Sequence, residues 1–177
     1  MAKLKGMRKL NKAITAPLAQ RFGITEAICA DEFAYYWDTE TITYKLTDGE
    51  LEDKWFNEFI EERFDYKVKN SFVISLLHEV GHHKANEEIC DAIAKFCETE
   101  KERIEEAMKN AETEEECKKL EWQYFNLPDE IMATQWAVNY AKKHPRIVNK
   151  IWKQMQNALV EFYKANLDKI DLEEMEA

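Results

Sequence analysis

The hydrophobic pattern of this 177-residue chain predicts strands first and helices after them. Phe33-Ala34-Tyr35-Tyr36-Trp37 and Thr41-Ile42-Thr43-Tyr44-Lys45-Leu46 are rich in aromatic and β-branched residues, with Asp38-Thr39-Glu40 between them. That arrangement predicts a β-hairpin, ended by Asp48-Gly49. Beyond it the spacing turns helical. Leu51, Trp55, Phe56, Phe59 and Phe64 form one apolar stripe over about residues 49–65. Asn70 or Ser71 can cap a hydrophobic helix running to about His83. Asn86, followed by Glu87 and Glu88, predicts another start, with Ile89, Ile93, Cys97, Ile104 and Met108 on the buried side. Thr113 with Glu116 spells a capping box for a helix carrying Cys117, Leu120 and Tyr124. Pro128 and Pro145 each stand at a first-turn position. The last stripe is Val148, Ile151, Trp152, Met155, Leu159, Phe162 and Tyr163. The predicted class is α+β, mostly helical, with a small antiparallel sheet or hairpin before the residue 70–83 helix.

Composition narrows the picture. With 45 % hydrophobic residues the chain can bury a core as one domain over residues 1–177. The net charge of −10 argues against general nucleic-acid binding. Residues 1–25 hold Lys3, Lys5, Arg8, Lys9, Lys12 and Arg21 and no acid; this basic arm reads as a solvated helix or tail in preference to a contact with nucleic acid or membrane lipid, and no membrane partner is expected. Pro17 and Gly23 predict at most broken helix in the arm. The acidic stretch Glu98–Glu116 reads as a solvated face. No apolar run reaches a membrane-spanning length and no signal-peptide core opens the chain, so a cytoplasmic protein is expected. Cys29, Cys90, Cys97 and Cys117 form no CxxC pair, and Cys90 and Cys97 read as small buried hydrophobes.

The chemistry is concentrated in His78-Glu79-Val80-Gly81-His82-His83. On a helix His78 and His82 share a face, and two imidazoles so placed can bind one tetrahedral Zn²⁺ at about 2.0–2.1 Å each. Glu79 projects beside the metal, where it can deprotonate a bound water and carry the proton to a leaving amine. Phe72–Leu77 leads straight into the motif, so the helix is buried and an unpaired polar cluster there would be costly. Gly81 lowers helix stability unless something approaches closely there. His83 lies about 100° round the helix from His82 and reads as a supporting or surface residue.

A third protein ligand is needed. Glu88 stands where the extended HExxHxxGxxH motif of metzincins places its third histidine, but position 85 is Ala and no tight turn is encoded. On a continuous helix Glu88 would be about 15 Å along the axis from His78. Glu130 is the preferred ligand, because its same-face neighbours Ala133, Thr134 and Ala137 are small and let its helix pack close to the motif helix. Glu88, Asp91 and Asp129 are the remaining candidates.

A hairpin, an HExxH helix and a later helix beginning Glu130-Ile131-Met132-Ala133, with Ala137 one turn on, resemble the ImmA/IrrE-like zinc metallopeptidases of bacteria, mobile elements and phages. The resemblance spans about residues 30–142, with helices over residues 87–126 lengthening the span between the ligand segments. It implies a zincin core at 30–142, with His78, His82 and Glu130 as ligands of one Zn²⁺ per chain; the C-terminal helix expected at 145–170 follows from Pro145 and the stripe after it. It also implies a protein or peptide substrate. The expected function is a zinc metallopeptidase with Glu79 as general base. The alternative is a non-catalytic regulatory or binding protein retaining the zincin metal site; a non-peptidase hydrolase is a third possibility. Tyr35, Tyr36, Tyr124, Tyr140 and His144 are candidates for the oxyanion donor.

Overall fold

The computed structural model describes residues 4–46, 54–85 and 89–173. Along the chain run α1 (Met7–Phe22), β1 (Glu26–Cys29), β2 (Ala34–Tyr36), β3 (Thr41–Tyr44), α2 (Lys54–Phe64) and α3 (Ser71–Ala85). They are followed by α4 (Asp91–Lys109), α5 (Glu114–Phe125), α6 (Pro128–Lys143) and α7 (Pro145–Glu173). The class is α+β and mostly helical. Two compact units divide the chain: Met1–Lys45 with His144–Ala177, and Leu46–Lys143. Among the described residues no helix is long and apolar enough to cross a membrane.

In the first unit the expected hairpin forms, with β2 antiparallel to β3 and Tyr36 opposite Thr41. Glu40 completes the turn in the left-handed region, at φ 50°. The sheet is nevertheless mixed rather than antiparallel, because β1 pairs parallel to β3 in the order β1-β3-β2. Four residues carrying one alternation gave β1 too little signal to be read in advance. Residues 7–22 depart from the expected broken arm: α1 is continuous, with Pro17 inside it. Leu10, Ile14, Leu18 and Phe22 recur every fourth residue and are buried. Burying that face offsets the one hydrogen bond Pro17 cannot make. Gly23, at φ 85°, ends the helix.

The same helix closes the free edge of β1. Thr15 Oγ1 accepts from the Ala27 N–H at 2.9 Å and Asn11 Oδ1 from the Cys29 N–H at 3.3 Å. Four helical residues rise about 6 Å and two strand residues about 6.6 Å, so the two spacings match. Ile151, Met155, Leu159 and Phe162 of α7 complete this core. Buried Asn166 joins α7 to the chain before α1. Its Oδ1 accepts from the Lys5 N–H at 2.8 Å, and its Nδ2 donates to the carbonyls of Lys5 (3.0 Å) and Phe162 (2.8 Å).

The second unit is helical. Asn70, of the two candidates, caps α3, its Oδ1 accepting from the Val73 N–H at 2.8 Å. Thr113 and Glu116 make the expected capping box. Asn86, Glu87, Glu88 and the segment Asp48–Leu51 lie outside the described residues. The helix expected from Asn86 begins at Asp91, with Cys90 preceding it and exposed. Cys97 and Ile104 are buried against Leu127, with Met108, Leu120 and Tyr124 around them. Ile93 is 41 % exposed and so leaves the expected buried stripe. The buried stripe therefore begins at Cys97, about two turns after the predicted start at Ile89, and Cys90 is not the buried hydrophobe expected.

Helices α3 and α6 approach backbone to backbone. A Cβ built on Gly81 would lie 2.8 Å from both the Cα and the carbonyl carbon of Ala133, and closer still to its oxygen. Ala133, Ala137 and Ala141 present the matching small face. Glycine on one helix and alanine on the other let the two run nearly in contact, which brings a side chain of α6 within reach of α3.

Candidate metal centre

His78 and His82 stand one turn apart on α3, and Glu130 reaches them from the first turn of α6. Their donor atoms lie within 4.8 Å of one another. His78 Nε2 is 3.1 Å from His82 Nε2 and 2.9 Å from Glu130 Oε2, and His82 Nε2 is 3.4 Å from Glu130 Oε1. Ligands of one tetrahedral ion with bonds of about 2.0–2.2 Å stand roughly 3.3 Å apart. The donor set therefore fits a metal ion. His78 Nε2 thus faces both a ring nitrogen and a carboxylate oxygen, and one cation could be shared by all three atoms.

The surroundings orient these groups. His78 Nδ1 is 3.0 Å from Thr134 Oγ1, which lies one turn after Glu130 on α6 and is fully buried. With the Nδ1 proton donated to Thr134, Nε2 presents its lone pair to the other donors. Phe56 meets the His78 ring edge-on at 5.1 Å. Burial works to raise the Glu130 carboxyl, but His82 and His78 outweigh it and hold it well below the usual carboxylate range.

Glu79 is 5 % exposed on the same helix. Burial pushes the Tyr124 hydroxyl up, and the charges of Glu130, Glu105 and Glu79 push it further against the opposing Lys101. Tyr124 therefore keeps its proton and stands in the field of both site carboxylates. Of the oxyanion candidates it is the one with this placement. Tyr140 stacks on Trp136 at 5.1 Å. Tyr35, Tyr36 and His144 belong to the other unit. His83 is not part of the donor group.

Among the competing third ligands, Asp91 is exposed and outside the group, Glu88 lies outside the described residues, and Asp129 pairs with Lys101 Nζ at 2.6 Å. Lys101 is the residue sequence reasoning passed over: its ammonium also bonds Glu130 Oε1. A signal for it existed. Cys97, Lys101, Ile104 and Met108 share the helical spacing of one face, so Lys101 sits on the buried stripe of α4 and not on the solvated face assigned to Glu98–Glu116. Comparison of the chain with protein-family models, with curated proteins and with solved structures finds no match.

Proposed function

We propose that this chain is a zinc-dependent metallopeptidase of zincin type, cleaving a peptide bond in a protein or peptide substrate. The observation that carries the reading is the meeting of His78, His82 and Glu130, with Glu79 buried beside the first ligand. Glu130 arriving from a later helix, over buried Ala133 and Ala137, supports the proposed kinship with the ImmA/IrrE-like peptidases. We propose a cytoplasmic setting, which four cysteines without a CxxC pair suit.

His78, His82 and Glu130 would hold the ion, and Thr134 would fix the His78 ring. A bound zinc supplies Lewis acidity, polarising the scissile carbonyl and making water acidic near neutral pH. Glu79 takes a proton from the attacking water as its oxygen bonds to the carbonyl carbon. It then delivers that proton to the amide nitrogen as the C–N bond breaks, so one water is consumed and no other reactant is required. Tyr124, still protonated, is the proposed donor to the developing oxyanion. A site holding metal only for structure has no use for Glu79.

The test is Glu79→Gln. The amide keeps the volume and cannot act as base, so zinc content should stay near one per chain while cleavage of a peptide library falls at least about a hundredfold. Undiminished cleavage by the variant removes the proposed mechanism.

A further inference from the structure

The first turn of α6 offers two adjacent carboxylates, Asp129 and Glu130, and one ammonium serves both. Lys101 Nζ lies 2.6 Å from Asp129 Oδ2 and also bonds Glu130 Oε1. It stands 5.3 Å from the centre of the Tyr124 ring. Of the two Glu130 oxygens, Oε2 turns to His78 Nε2 at 2.9 Å, while Oε1 takes the ammonium and lies 3.4 Å from His82 Nε2.

We propose that Lys101 is a competing cation built into the metal centre, holding Glu130 to ligation through one oxygen and weakening the grip of the site on a divalent ion. The proposal rests on reading His78, His82 and Glu130 as the ligand set. Two cations drawing on one carboxylate in a site sheltered from water repel each other and share its charge. Asp129 gives the ammonium a second anchor, so it stays nearby while Glu130 engages the metal. The result is a more electrophilic and more exchangeable ion than the same three ligands would hold alone. A merely structural lysine would behave differently, since its loss would lower folding stability and metal affinity together.

The experiment is a zinc titration against a chromophoric chelator, using the full chain stripped of metal, with Lys101→Met, Lys101→Arg and Asp129→Asn. Lys101→Met should bind zinc at least about tenfold tighter than wild type, while Lys101→Arg, which keeps the charge, stays within about threefold. Asp129→Asn should bind more weakly, because the ammonium is left to Glu130 alone. With cobalt(II), Lys101→Met should lose visible absorption intensity as Glu130 becomes free to bind through both oxygens and the coordination number rises. Equal or weaker zinc binding by Lys101→Met overturns the proposal. Should that variant fail to fold, Asp129→Asn binding as tightly as wild type or more so overturns it instead. Folded wild type that takes up no zinc overturns the ligand reading itself, a result distinct from zinc uptake that is indifferent to Lys101.

Discussion

Gly81 of α3 lies so close to Ala133 of α6 that a Cβ on it would stand 2.8 Å from the Ala133 Cα. That approach lets α6 carry Glu130, one turn before Ala133, to the two histidines of α3. The helix thus accepts a residue that costs it about 1 kcal/mol relative to alanine in exchange for proximity.

Gly81→Ala should accordingly destabilise despite its better helix propensity. The clash is with backbone, which cannot swing aside as a side-chain tip can, so a net loss of about 1–3 kcal/mol is expected in urea unfolding. Zinc affinity should fall with it, since Glu130 moves with α6. A variant as stable as wild type, with unchanged affinity, would mean that the helices are not in this contact.

Glu130→Ala should strip the third donor and lower zinc affinity by at least about a hundredfold, whereas Asp91→Ala leaves it unchanged. Metal analysis after dialysis against a weak chelator reads the difference. If Asp91→Ala loses zinc and Glu130→Ala keeps it, the centre has been assigned to the wrong helix.

Thr134→Val removes only the hydroxyl facing His78 Nδ1. The imidazole then loses the partner that fixes its tautomer, and zinc affinity should drop about 10–100-fold with little change in ligand identity. Unfolding should cost about 1–3 kcal/mol less if the Nδ1 proton is left buried without an acceptor. Affinity indistinguishable from wild type would show that Thr134 does not orient the ring.

How much of this was legible depended on whether the signal was local. His78, Glu79 and His82 are marked by spacing within one turn, and Glu130 by the small residues after it, so these positions could be named from the sequence. The β2–β3 hairpin declared itself through aromatic and β-branched runs around a polar turn. Helix α1 did not, because Pro17 breaks the local rule and only burial of the Leu10–Phe22 face, a tertiary effect, overrides it. Strand β1 was missed because its pairing to β3 is parallel and its edge is completed by Asn11 and Thr15 of α1. Lys101 was hidden by its company: a lysine among glutamates reads as solvated until the stripe of Cys97, Ile104 and Met108 is drawn through it.

Asn166 supplies a test in the other unit, independent of any question of metal. It is 1 % exposed and uses both amide groups, accepting from the Lys5 N–H and donating to the carbonyls of Lys5 and Phe162. Asn166→Asp keeps the acceptor but turns a carboxylate oxygen toward two carbonyl oxygens, so the folded state should favour its protonated form and raise its pKa above the unfolded value of about 3.9. An acid raised in this way destabilises the fold once pH exceeds its unfolded pKa and does so increasingly up to the folded value. The difference in Tm between wild type and Asn166→Asp should therefore be large at pH 7 and shrink as pH falls toward about 4, whereas the difference for Asn166→Leu stays flat. A deficit independent of pH would place the introduced carboxylate in water, and with it the junction between α7 and the chain before α1.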